Sequence, residues 1–152
     1  MNRIEWSPCV GLGGRHAPDF TAEQFFETLK KNGVKKVIDI RLNNKSQLAG
    51  FAKASDLEYF LKTAGIEYVY MPDFAPTKEL LDGYMDKKVN WQEYELKYNN
   101  MLQERKPLDV KKTQIFDGAC FLCSEQTAHK CHRRLAAEYI AKNIDGVNIV
   151  HL

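Results

Sequence analysis

Val34-Lys35-Lys36-Val37-Ile38-Asp39-Ile40-Arg41 is the stretch from which the fold is read. Val37, Ile38 and Ile40 are β-branched and clustered, so the run reads as a strand. Helix signals stand on both sides of it. Upstream, Thr21 and Gln24 form a capping-box pattern and Gly33 supplies a stop, which predicts a helix over Thr21 to Asn32 with Phe25, Phe26 and Leu29 as its apolar stripe. Downstream, a polar loop runs from Leu42 to about Ala54. Ser55 and Glu58 then predict a second capping box and a helix to Ala64, ended by Gly65. Ile66 to Met71 is a third strand, and Pro72 stops it.

The same alternation extends to both ends. Ile4 to Val10 reads as a weak first strand, followed by a flexible Gly11-Leu12-Gly13-Gly14 turn. Thr77 to Arg105 reads as two helical pieces, in which Trp91, Tyr94 and Tyr98 recur at near-helical spacing and form a packing face. Lys106 to Thr113 is a charged connector. Gly118 to Cys123 is a small apolar strand. Thr127 is placed to cap a helix from about Ala128 to Lys142, with Leu135, Ala136, Tyr139 and Ile140 facing the core. Val147 to His151 closes the chain as a last strand.

Strand–helix–strand alternation at this length implies an α/β fold. The expectation is a single three-layer domain over residues 1–152, a mostly parallel sheet of about five strands with helices on both faces. The 152 residues are enough to bury a core, and 44% hydrophobic against 28% charged residues exclude a disordered chain. Net charge is +2, too little to argue nucleic-acid binding; Lys111-Lys112 and Arg133-Arg134 read as solvated basic pairs. No apolar run is long enough to span a membrane, and the N-terminus has no signal-peptide pattern. A cytoplasmic chain is therefore expected, with its four cysteines (Cys9, Cys120, Cys123 and Cys131) as thiols or ligands rather than disulfides.

In an open parallel sheet, right-handed crossovers gather the strand C-termini on one edge, and ligands bind outside it. Asp39 and Arg41 end one strand there, two apart and so on one face. They read either as a structural ion pair or as an orienting carboxylate beside an anion-binding guanidinium. Asp73, straight after Pro72, reads as a turn residue with a smaller claim to line a site. The strand ending at Cys123 is followed by Ser124, Glu125 and a helix carrying His129, Cys131, His132, Arg133 and Arg134. A helix N-terminus offers free N–H groups to an anion and favours a thiolate. Cys123 is the better placed thiol, and Cys131 is expected about one turn into the helix. Cys9 and Cys120 read as buried small hydrophobes.

Three sharper patterns compete. Cys120-x2-Cys123, with His129, Cys131 and His132 downstream, has the spacing of zinc ligands. Positions three apart on a strand face opposite sides, however, so both of the first two sulfurs do not easily meet one ion; no metal ligand is assigned. A cysteine-phosphatase or sulfurtransferase loop needs an arginine six positions after its thiol, and position 129 is His. A Cys-His redox or transferase centre is permitted without being demanded.

Val37-Ile38-Asp39-Ile40-Arg41, Gly65-Ile66-Glu67-Tyr68 and, above all, Cys123-Ser124-Glu125 followed by Cys131-His132-Arg133 resemble the family catalogued as domain of unknown function 488. The likeness runs from Cys9-Val10-Gly11 to Val150-His151. It implies shared polar positions at Asp39, Arg41, Cys123, Glu125, Cys131, His132 and Arg133, and no settled activity or cofactor. The chain departs from the family at Pro72-Asp73-Phe74-Ala75-Pro76, where Leu-Gly-Gly is common, and at Asn43-Asn44-Lys45, where proline is usual. The resulting expectation is an enzyme on a small anionic, phosphate- or nucleotide-like substrate. Cys123 would serve as nucleophile or redox thiol with Cys131 beside it. His132 and Glu125 would move protons, and Arg41 and Arg133, oriented through Asp39, would hold the anion. A non-catalytic ligand- or protein-binding module, or a metal- or nucleic-acid-associated protein, are the alternatives.

Overall fold

A computed structural model describes residues 2–6, 21–45, 51, 53–108, 114–123 and 131–151. Five strands and five helices follow one another through these residues. They are β1 (Asn2–Trp6), α1 (Ala22–Lys31), β2 (Lys36–Asp39), α2 (Ala54–Thr63), β3 (Glu67–Tyr70), α3 (Lys78–Met85), α4 (Trp91–Arg105), β4 (Ala119–Leu122), α5 (His132–Asn143) and β5 (Val147–His151). The strands pair in the order β3-β2-β4-β1-β5, every pairing parallel. The α/β class read from the sequence stands. The Gly11–Gly14 turn, the Thr127 cap, Cys9, Glu125, His129 and the Lys111-Lys112 pair lie outside the described residues.

Strand order explains where the helices go. From β1 through β2 to β3 the chain steps toward one edge, and from β3 through β4 to β5 it steps back. Right-handed crossovers in opposite directions must cover opposite faces. The apolar clusters divide accordingly. Phe25 and Leu29 of α1 and Leu57 and Leu61 of α2 pack with Val37, Cys120 and Leu122. Tyr94, Tyr98 and Leu102 of α4 and Leu135, Ala136 and Ile140 of α5 pack with Ile38, Ile40, Phe121 and Cys123. Strand alternation thus divides β4 residue by residue, Cys120 and Leu122 to one side, Phe121 and Cys123 to the other. The opposed facing of Cys120 and Cys123 anticipated from their spacing is present.

Two helix starts depart from expectation. At α1 the capping box forms as read: Gln24 N donates to Thr21 Oγ1 at 3.2 Å and Thr21 N to Gln24 Oε1 at 2.8 Å. At α2 the expected Ser55–Glu58 box is absent. The N-cap is Lys53, with no side-chain cap, and Ser55 lies inside the helix. A tertiary bond sets this start, because Ala54 N donates to the Asn44 carbonyl at 2.8 Å and fixes the chain two residues earlier. At α5 the helix begins at His132 with Cys131 as N-cap, not near Ala128. Cys131 is therefore at the mouth of the helix rather than one turn inside it.

The Arg133-Arg134 pair is also not a solvated surface. Arg133 is buried. Arg134 donates to Glu138 at 2.8 Å and to Glu95 of α4 at 3.2 Å, with its guanidinium 6.0 Å from the Trp91 ring centre. It ties α5 to α4, whose Trp91, Tyr94 and Tyr98 rings stack in sequence as the packing face expected of them.

Candidate active site

β2 and β4 are neighbours, but the chain leaves them toward opposite faces, into α2 and α5. Such a reversal opens a crevice at the C-terminal edge of the sheet. Register aligns Asp39 with Leu122 there, and Ile40 N donates to the Leu122 carbonyl at 3.0 Å, one residue before Cys123. Of the predicted site residues, Asp39, Arg41, Cys123, Cys131, His132 and Arg133 are described and fall at this edge in two groups.

The first group lies toward α2. Asp39 and Arg41 form a buried, bidentate pair: Arg41 Nε donates to Oδ1 at 2.9 Å and Nη2 to Oδ2 at 2.8 Å. The Arg41 backbone N–H adds a third bond to Oδ1 at 3.1 Å. Tyr68 Oη donates to Oδ2 at 2.7 Å, and Asn44 Nδ2 to Tyr68 Oη at 3.4 Å. Burial first, then the neighbouring Asp39 carboxylate, pushes the Tyr68 hydroxyl well above the usual tyrosine range, so it remains a donor. Of the two readings open for Asp39 and Arg41, the ion pair is realised. Tyr68 and Asn44 entered the sequence reading only within the resemblance, as part of a shared stretch and of a departure, and were not assigned to the site. Their contacts to Asp39 and to each other depend on strand register and loop path, which residue type and spacing do not announce.

The second group lies on the α5 side. Cys123 at the end of β4, and Cys131 and His132 at the start of α5, bring their two sulfurs and a ring nitrogen within 4.8 Å of one another, all three residues buried. Each position has a structural cause. Strand alternation turns Cys123 onto this face. Cys131 has the extended backbone of an N-cap (φ −141°, ψ 135°), and its sulfur accepts the Arg133 N–H at 3.4 Å. The Arg134 N–H is taken by the Cys131 carbonyl at 3.1 Å. A sulfur in that place sits where the helix dipole favours negative charge.

His132 is oriented from β2. Its Nε2 lies 3.0 Å from the Ile40 carbonyl oxygen. A carbonyl only accepts, so Nε2 carries the proton and Nδ1 of the neutral ring carries the lone pair. Nδ1 has no hydrogen-bond partner among the described residues. Tyr98 closes the group from α4: its ring centre is 5.8 Å from that of His132, and its hydroxyl donates to the Phe74 carbonyl at 2.6 Å. Complete burial, followed by the neighbouring Tyr94, Cys131 and Cys123, holds that hydroxyl well above the tyrosine range. Tyr98 was read as packing only; helical spacing announced its buried face and could not announce its neighbours.

The structure thus gathers Cys123, Cys131 and His132. It places the Asp39–Arg41 pair on the opposite face of the sheet, flanking Ile40, whose carbonyl meets His132. Arg133 is buried in the first turn of α5. Asp73 lies in a 3-10 turn over Pro72–Phe74, where Arg105 Nη1 donates to its carbonyl at 3.0 Å; its backbone does this work.

Fold and site together define a parallel α/β domain with a thiol–imidazole cluster at a strand-to-helix junction. The chain belongs to the family described as Domain of unknown function DUF488, which matches residues 21–140. No curated protein and no solved structure matches the chain. Among the described residues, no helix is long and apolar enough to cross a membrane.

Proposed function

We propose that this protein is an enzyme acting on a small anionic substrate, phosphate-bearing or nucleotide-like, at the crevice between β2 and β4. The observation that carries the reading is the convergence of two thiols and an oriented imidazole at the mouth of α5. One sulfur is the reacting group, Cys123 first and Cys131 second. His132, through Nδ1, is the proton acceptor within that cluster. Anion binding falls to Arg133 in the first turn of α5. The bidentate contact to Asp39 gives Arg41 a bracing role beside them. Glu125, two residues beyond Cys123 in the chain, supplies a further acid or base.

A second reading, a binding module without turnover, draws on one fact: both sulfurs are fully buried, which slows attack on an external substrate. Alkylation of metal-free full-length protein separates the two. An enzyme of this kind alkylates at Cys123 or Cys131 faster than an ordinary thiol, with phosphate or nucleotide protecting it. Protection without fast alkylation selects the binding module, and neither effect removes both readings.

A further inference from the structure

We infer that Cys123, Cys131 and His132 form a binding site for one divalent transition ion, zinc by its chemistry. The inference rests on the reading of this place as the working centre and changes its chemistry. With the ion bound, both sulfurs and Nδ1 are ligands, activation of an anionic substrate passes to the ion, and the nucleophile and base roles of Cys123, Cys131 and His132 belong to the metal-free chain.

Spacing within the sequence argued against zinc because Cys120 and Cys123 face opposite sides. The structure keeps that objection and removes its consequence: Cys120 is in the opposite cluster, and Cys131 and His132 complete the set instead. A tetrahedral zinc with bonds of about 2.3 Å to sulfur and about 2.0 Å to nitrogen separates its ligand atoms by roughly 3.5–3.8 Å. The three atoms here lie within 4.8 Å. Drawing in by about an ångström is within the reach of side-chain torsions, without any change of fold.

Three further features fit a metal. The Nε2–H of His132 is spent on a backbone carbonyl, the support that metal-bound histidines ordinarily have, and it leaves Nδ1 as the ligating atom. Two thiolates and a neutral imidazole cancel the charge of a divalent ion, so the assembled centre is neutral and cheap to bury, whereas an unmetallated thiolate pair is not. Sulfur and imidazole select zinc over magnesium or calcium. Three protein ligands leave the fourth tetrahedral position to water or to an anion oxygen. That is the pattern of a catalytic rather than a structural zinc, and it suits the anionic substrate class proposed above.

Cobalt(II) titration of the reduced, metal-stripped full-length chain tests this. The expected result is one cobalt per chain, with the intense visible bands of tetrahedral cobalt and a near-ultraviolet thiolate charge-transfer band. Cys131→Ser should lower the charge-transfer intensity by about half or abolish uptake. Cys120→Ala should leave both features unchanged, which guards against a merely unfolded variant. Added phosphate should perturb the visible bands if it takes the fourth position. No uptake by the parent chain, a weak octahedral spectrum, or uptake indifferent to Cys131→Ser overturns the inference. The two readings fail separately. A chain that takes up no cobalt and still shows fast, phosphate-protected alkylation loses the ion and keeps the thiol enzyme. A tetrahedral cobalt site blind to every anion keeps the ion and loses the substrate class.

Discussion

Among the described residues, the Asp39 carboxylate receives four hydrogen bonds, three from Arg41 and one from Tyr68, and Asp39 is fully buried. Sequence alone exposed the oddity of an acid between Ile38 and Ile40 but not its resolution. Arg41 was within view at two residues' distance, while Tyr68 arrives from the neighbouring strand and depends on register. Removing one member of a buried pair leaves the other charge stranded, so Asp39→Asn should destabilise by about 3–5 kcal/mol. Tyr68→Phe deletes a single bond to a charged acceptor and should cost about 1.5–3 kcal/mol. Urea unfolding monitored by circular dichroism reads both. A Tyr68→Phe variant as stable as its parent would mean that the hydroxyl is idle in the fold and is held for something else.

Helix starts show what local sequence resolves and what it does not. Thr21 and Gln24 cap α1 with both bonds of the box in place. Ser55 and Glu58 make the same pattern and fail, because the Asn44 carbonyl captures Ala54 N and starts α2 early. Thr127 is the better cap by propensity, yet α5 begins beyond it, on a cysteine buried against the sheet. Local preference yields to tertiary placement at both. The difference is measurable. Thr21→Ala should lose about 1 kcal/mol with its cap, whereas Ser55→Ala, now a helix-interior change, should be neutral or stabilising by roughly 0.5 kcal/mol. Equal losses at the two sites would restore the capping box at Ser55. Cys131→Ser preserves a side-chain acceptor at the mouth of α5. It should stay within about 1 kcal/mol of the parent in stability while the sulfur chemistry of the crevice is lost. A collapse of several kcal/mol would instead mark Cys131 as core filling first.

At the scale of the molecule, alternation of strands and helices was legible as an α/β chain, but the order β3-β2-β4-β1-β5 was not, since periodicity says which residues share a face and nothing about which strands pair. That order puts Tyr68 with one apolar cluster and Tyr98 with the other. Both hydroxyls are held above their ordinary range, chiefly by burial. The unfolded chain gives up tyrosine protons near pH 10, where the folded protein still keeps them. Above that pH the unfolded state binds fewer protons, so stability must fall as pH rises. The contribution of the neutral hydroxyls is complete below about pH 10 and is lost as pH climbs toward their folded values. Because one tyrosine belongs to each side of the sheet, alkaline denaturation should proceed as a single transition followed identically by fluorescence and far-ultraviolet circular dichroism. Compared between pH 9 and 11.5, the parent chain should lose more stability than the Tyr68→Phe/Tyr98→Phe double variant, since phenylalanine has no proton to release. A double variant with the same alkaline slope would assign the loss to other groups. Two resolved transitions in the parent would mean that the two sides of the sheet unfold as separate units.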